Sequence, residues 1–362
     1  MLMGPYCGML LADLGAEVIK IEPPEGDISR SIGPHRIGCH NVYFASLNRN
    51  KKSVVIDLSC EQGQQALAHL AAGAHGLITN LRPAAIKKLR LTYDDLKQWN
   101  PRLVCVALTG YGLDSPWADR PAYDYVIQAA TGIMSLTGDP AGPPTKAGYS
   151  IIDNSTAIMG ALGLLARLVQ GTGGQVDVAM YDTALSQLNY LAGAWLNAGE
   201  KPARLPNSAH PYIVPAQNFR TRDGWLTLFI THDDFWRRFC SEIQRPEWAA
   251  DPTFATMAAR SLNRDRLVQV IGEIFLTETT ERWLQRLRPL GLVVERIESL
   301  ESALDSETTR SRRMIVEIST EEGGIRAVGN PIKNTDTEEI YRPPPHLDEH
   351  DSVIGRSTKY NV

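Results

Sequence analysis

The chain has 362 residues, 43% of them hydrophobic and 22% charged, with 37 basic against 41 acidic residues and a net charge of −4. That length suits about two domains, and the composition suits a soluble globular protein with a substantial core. A slightly acidic balance excludes a broad basic field for nucleic acid, while leaving room for a local pocket for a small anion.

In chain order, residues 7–14 read as a helix stopped by Gly15, and residues 16–21 (AEVIKI) as a strand. A second strand is expected at 53–58 (SVVIDL), a helix at 61–72, and a short buried strand at 76–79 (GLIT). A helical turn or two at 84–89 precedes another strand at 103–108 (LVCVAL). Strands separated by helices of this length predict βαβ units and a parallel sheet, hence an α/β fold. Residues 156–170 are apolar almost all round, which predicts a buried helix ended by the glycines at 171, 173 and 174. A strand at 176–180 and a helix at 183–196 follow. Residues 199–216 hold four prolines and read as a linker. A hairpin is expected over 218–230 around the T-R-D-G at 221–224, and mostly helix over 233–290. There the helix at 264–276 puts Leu267, Ile271, Ile274 and Phe275 on one face. Strand-like runs return at 314–318 and 325–328, and the tail (RPPPHLDEH, 342–350) is extended. The expected division is a large domain over 1–198, a linker over 199–220, a smaller α+β domain over 221–305, and a return to the large domain over 306–362.

The five cysteines are odd in number and form no C-x-x-C pair, which reads as reduced thiols in a cytoplasmic protein. The first residues lack the pattern of a signal peptide, and no apolar stretch reaches the roughly 18 residues of a membrane span. The eight histidines are scattered and H-E-x-x-H is missing, so no metal site is expected.

Six segments in order carry a resemblance: Gly4-Pro5 with LLADLGAEVIKIEPPEGD (10–27), LNRNKKSVVIDL (47–58), TNLRPAAIKKL (79–89), ALTGYG (107–112), the stretch from AGYSIIDNSTAIMGALGLLARL to GTGGQVDVAMYD (147–182), and PPPHLDEH (343–350). Together they resemble the class III CoA-transferases, the CaiB/BaiF or formyl-CoA transferase family. The resemblance implies a Rossmann-like parallel-sheet large domain, a smaller α+β domain, and an interlocked homodimer. It implies a transferase that moves CoA from an acyl-CoA donor to a carboxylic acid acceptor. Coenzyme A is then substrate, and no cofactor is permanently bound. Members of the family usually carry one more strand ahead of the Gly-Pro element, so either the sequence begins upstream or the sheet has an open apolar edge.

Asp153 falls where these enzymes place their nucleophile. Taken alone, an Asp before an apolar helix is a capping residue. As nucleophile it would attack the thioester carbonyl, release CoA thiolate and form a mixed anhydride. The thiolate would then make an aspartyl-CoA thioester, which the acceptor carboxylate captures. Backbone N–H donors are needed for the tetrahedral intermediates, with Gly110, Gly132 and Gly148 as candidates. For CoA, the resemblance implies Asn80, Leu81 and Arg82 at the nucleotide end, Lys88 at a phosphate, Ile56 on the adenine and Tyr111 beside the pantetheine or acyl group. Against each stands a plainer role: a strand-to-helix turn for 80–82, a solvated lysine, a core tyrosine. Pro23-Pro24 replaces a basic residue of some members, and Arg30, Lys51 or Lys52 could compensate. His210, Arg220 and Arg222 could meet an acceptor carboxylate, or be surface charge.

Three alternatives share this outline. An α-methylacyl-CoA racemase would need a histidine where this chain has Tyr123 of Pro121-Ala122-Tyr123-Asp124, and a phenol of reference pKa about 10 exchanges protons poorly. An intramolecular CoA transferase and a CoA-binding protein without turnover are the others.

Overall fold

The computed structural model describes residues 1–321 and 323–354. Of the expected return over 306–362, residues 322 and 355–362 lie outside the described residues. The chain forms two compact units. One comprises Met1–Ile133, Ala147–Gly199 and the C-terminal part from Glu307; the other comprises Met134–Lys146 and Glu200–Ser306.

The larger unit carries five parallel strands: β1 (Val18–Glu22), β2 (Lys51–Val55), β3 (Gly76–Thr79), β4 (Val104–Thr109) and β5 (Gly174–Ala179). They form two sheets, not one. β1 pairs with β2 in the register Val18↔Lys51, and β3, β4 and β5 pair in that order through Gly76↔Val104 and Val104↔Gly174. The sequence of β4 is apolar without alternation because both its faces are covered. Val104, Val106 and Leu108 pack with Met3, Cys7 and Leu11 of helix α1 (Met3–Asp13) and with Ala157, Ala161 and Leu164. Leu103, Cys105 and Ala107 face Leu67, Ala71, Ile86, Leu91 and Leu96 on the other side. Each of the larger side chains contributes about 1.5–3 kcal/mol by leaving water. β1 and β3 are the inner edges of the two sheets, and both line a single cleft of about 1750 Å³.

Helix α2 (Asp124–Ala130) precedes the long helix α3 (Ile151–Gln170), which ends where Gly171 takes φ +69°. α3 departs from the expectation of full burial. Ile152, Thr156, Ala157, Gly160, Ala161 and Leu164 are buried, whereas Ile158, Met159, Leu162, Leu165 and Val169 are exposed along the other face. Against the expectation that no apolar stretch reaches the length of a membrane span, α3 is long and apolar enough to cross one. Its buried stripe against β4 is that of a core helix.

The smaller unit is an antiparallel three-stranded sheet of Ala216–Arg220, Trp225–Phe229 and Val293–Arg296 covered by helices. The end of the expected linker 199–220 is therefore its first strand. Leu267, Ile271 and Phe275 are buried on one face of Arg264–Phe275, with Ile274 packed at its margin.

Candidate functional site

The first turn of α3 has N–H groups that no helical carbonyl can reach, and its own N-cap residue, Ser150, provides no side-chain bond. The acceptor comes from α2. One carboxylate oxygen of Asp124 accepts from Ile152 N at 2.8 Å and from Asp153 N at 3.2 Å. The other accepts from the Gln128 side-chain amide one turn on, and Gln128 Oε1 accepts from Ala147 N at 2.9 Å. Asp124 is only 3% exposed. These bonds compensate the burial of its charge.

Asp153 occupies the third position of α3 and is half-buried. Burial, then the charge of Asp124, pushes its carboxyl up from 3.8 to about 6. A helix start ordinarily favours an anion, but here Asp124 occupies two of its donors. An acid of pKa about 6 is still about 90% ionised at pH 7, and it is more basic than an ordinary carboxylate. Tyr43, on the helix Val42–Asn48, is within electrostatic range: its phenol is raised by burial and then by the charge of Asp153. Asp124 and Tyr43 are the residues that motif reading missed as neighbours of Asp153. The first stood in Pro121-Ala122-Tyr123-Asp124, a segment read only for another enzyme's chemistry, and nothing marked the second.

The cleft lies in the same unit. Ile56, Asn80 and Leu81 line it, together with Lys20, Glu22, Asp27 and Arg30. Asn80 is pressed against the chain start, since a Cβ on Gly4 would lie 2.6 Å from Asn80 Oδ1. Arg82, the N-cap of the helix Pro83–Lys88, and Lys88 at its end are both exposed and stand outside the lining. Lys87 is exposed as well. Tyr111 also stands outside it: its ring is buried edge-on to Trp117 at 5.5 Å and beside Tyr181 at 5.9 Å, the position of a core tyrosine. Asp153 is not a lining residue of the cleft.

The basic residues set against Pro23-Pro24 are engaged. Arg30 pairs with Glu22 at 2.7 Å and lies over the Phe44 ring, and Lys52 pairs with Glu17 at 2.5 Å. The Lys51 ammonium is buried and donates to Pro5 O, Leu47 O and Asn48 Oδ1 at 2.6–2.8 Å; burial holds its pKa well below the usual 10.5. Of the three glycines, Gly110 is crowded by Ala122, Gly132 has φ +84°, and Gly148 has open space where a side chain would project. In the smaller unit, His210 Nδ1 accepts from Tyr212 N and Ile213 N at 3.1 Å, and burial lowers its pKa. Arg220 and Arg222 are exposed.

Comparison with known proteins gives this geometry its setting. Residues 1–351 match the sequence model of "CoA-transferase family III". An acetyl-CoA:oxalate CoA-transferase of Acetobacter aceti is 33% identical over 98% of this chain and 92% of its own length. The human succinyl-CoA:glutarate CoA-transferase is 30% identical over 98% of this chain and 82% of its own. A crystal structure of a CaiB/BaiF family protein from Brucella suis superposes with a TM-score of 0.83 at 31% identity, covering 98% of this chain and 94% of that one. A crystal structure from Mycobacterium tuberculosis gives 0.86 at 30%, covering 98% and 95%. The chain belongs to CoA-transferase family III.

Proposed function

We propose that this CoA-transferase works through a covalent intermediate on Asp153. The observation that carries the proposal is a half-buried carboxylate at a helix start whose pKa is raised to about 6 by burial and by Asp124. Raised basicity strengthens a carboxylate as a nucleophile, and holding it against a bound thioester supplies the effective concentration that a free carboxylate lacks. A carboxylate oxygen of Asp153 attacks the thioester carbon, the C–S bond breaks, and CoA leaves as thiolate. The thiolate attacks the aspartyl carbonyl of the anhydride and expels the donor acid. The acceptor carboxylate attacks the resulting aspartyl thioester, expelling CoA thiolate and forming a second mixed anhydride. The thiolate then attacks the acceptor acyl carbon, and the C–O bond to Asp153 breaks to give the acceptor acyl-CoA and the free Asp153 carboxylate. Gly148, with space beside it two residues before the N-cap of α3, is the preferred N–H donor to the oxyanions.

The nucleotide end of CoA is assigned to the cleft at Ile56, Asn80 and Leu81, with the exposed cations Arg82 and Lys88 meeting phosphate. Tyr111 acts as core packing beside Trp117 and Tyr181. CoA and acyl-CoA are substrates, and no resident cofactor is invoked. The acetyl-CoA:oxalate and succinyl-CoA:glutarate enzymes suggest short dicarboxylates as partners in the exchange. The racemase alternative is disfavoured by two features. Tyr123 is 61% exposed, and Asp124 is committed to capping α3.

We read the large unit as Rossmann-like and the enzyme as an interlocked homodimer. The exposed apolar face of α3 supports the dimer, because a second chain would cover Ile158, Met159, Leu162, Leu165 and Val169. None of the five described cysteines is in a disulfide, which supports a cytoplasmic location.

The test is mass spectrometry of the intact enzyme quenched after mixing with a panel of acyl-CoAs. A mass increase on the peptide containing Asp153, absent in Asp153→Asn, is expected. Turnover at the wild-type rate by Asp153→Asn would remove the assignment.

A further inference from the structure

Chain spacing showed no metal-ligand set, but the fold of the larger unit makes one. Cys39 sits in the turn of the small hairpin formed by Arg36–Ile37 and His40–Asn41, and His40 follows it. His346 comes from the C-terminal segment, 307 residues from Cys39. Cys39 Sγ, a His40 ring nitrogen and a His346 ring nitrogen all lie within 4.8 Å of one another. We propose that Cys39, His40 and His346 form a site for a thiophilic divalent metal ion of the zinc class.

Three observations carry this. The first is distance. Cys39 Sγ and His346 Nδ1 are 3.6 Å apart. Zinc bound tetrahedrally at about 2.3 Å from sulfur and about 2.05 Å from nitrogen places those two atoms about 3.6 Å apart. The pair therefore already has the spacing the ion requires; the His40 nitrogen lies within 4.8 Å of both, and closes to the about 3.3–3.6 Å that a shared ion sets by a turn of its ring. The second is chemistry. One thiolate and two imidazoles suit zinc or cobalt(II) and not magnesium or calcium, which take oxygen. Three protein ligands leave a fourth position for water. The third is that both arms are held. The Arg36 guanidinium donates to Cys39 O, which ties down the hairpin turn. On the other arm, His346 N donates to Glu349 Oε2 at 2.7 Å, Asp348 Oδ1 accepts from Val55 N at 2.7 Å, and His350 N donates to Ser53 O at 3.0 Å. His346 is thus fixed against β2 before any ion arrives.

Binding replaces the Cys39 S–H proton by a sulfur–metal bond and releases that proton to solvent. Its effect is to join the hairpin to the C-terminal segment. Arg30, which lines the cleft, donates to Pro345 O one residue before the ligand, so the clamp also steadies that wall.

The full-length enzyme, stripped with a chelator, is titrated with cobalt(II) chloride and followed by absorption, then with zinc chloride in competition. One equivalent with a thiolate-to-cobalt charge-transfer band is expected, displaced by zinc, with a rise in melting temperature. Cys39→Ser should abolish the band, and His346→Ala, at an exposed position, should weaken binding by more than the about 10–100-fold that loss of an outer-shell partner costs. A wild-type enzyme that takes up no cobalt or zinc at micromolar concentration overturns the proposal. So does uptake that both variants retain unchanged, and circular dichroism confirms that each variant is folded.

Discussion

Replacing Asp153 by asparagine should make the protein more stable at neutral pH, and the size of the gain follows from its environment. The carboxyl is raised from 3.8 to about 6, chiefly by burial and then by Asp124. Between those values the folded protein holds a proton that the unfolded chain has lost, so stability falls as pH rises through this window. Above about pH 6 the full cost of the buried anion is present. At 1.36 kcal/mol per pH unit, the rise corresponds to a ceiling of about 3 kcal/mol. Asparagine keeps the shape without the charge and removes that cost, less about 0.3–1 kcal/mol for the lost attraction to the helix start. Urea unfolding of both proteins at pH 7.5 and pH 4 measures it. The variant should gain stability at pH 7.5 and little or nothing at pH 4. An equal difference at both values, or a loss at pH 7.5, would show that Asp153 is not a strained anion. The gain would be the thermodynamic counterpart of its proposed role, since a group poised to react is held at the expense of stability.

Asp124→Ala removes the acceptor for Ile152 N and Asp153 N and should cost about 1–3 kcal/mol in urea unfolding. The conservative Asp124→Asn keeps an acceptor but lowers the Asp153 pKa, so the acid limb of the rate–pH profile should move below about 6; an unmoved limb refutes the coupling. Lys51→Met strands three acceptors, Pro5 O, Leu47 O and Asn48 Oδ1, and should destabilise by about 1–3 kcal/mol, read from the melting curve. Gly63→Ala would place its Cβ 1.8 Å from Asp57 O, so this start of the helix Glu61–Gly73 must shift, at a cost of about 1–3 kcal/mol. Leu162→Glu, in the exposed stripe of α3, should leave the subunit core intact and shift the enzyme to monomer on size-exclusion chromatography; an unchanged elution volume would place the dimer contact elsewhere.

Much of the scaffold was legible because it is local. The unbroken apolar run of β4 and the spacing of Leu267, Ile271 and Phe275 state their own burial. What escaped was set by contacts between distant segments. α3 is apolar on all sides, and sequence alone cannot tell a face covered by the same chain from one that is left open. The separation of the parallel strands into two sheets reflects which edges meet, and strand-forming propensity does not encode this. Met134–Lys146 joins the smaller unit although it lies within the span assigned to the larger one. Asp153 was found through a motif, whereas its partner Asp124 looked like the remnant of another enzyme's signature and proved to be the cap of α3. Tyr111, in an equally suggestive motif, is packed between Trp117 and Tyr181.

The parted sheets have a mechanical meaning. β1 and β3 look at each other over the cleft without a shared ladder, and α1 packs behind both β1 and β3 as well as β2. On the β2 side α1 is pinned by directional bonds, Lys51 Nζ to Pro5 O and Arg49 to Asp13, so the separation of the two edges is governed by how that one helix, carried with β2, beds down against β3. Amide exchange should report the difference: slow along the interior of β4, fast on the facing edges of β1 and β3. A groove whose walls are coupled through a helix can widen or narrow as the helix shifts, and so fit itself to what it holds.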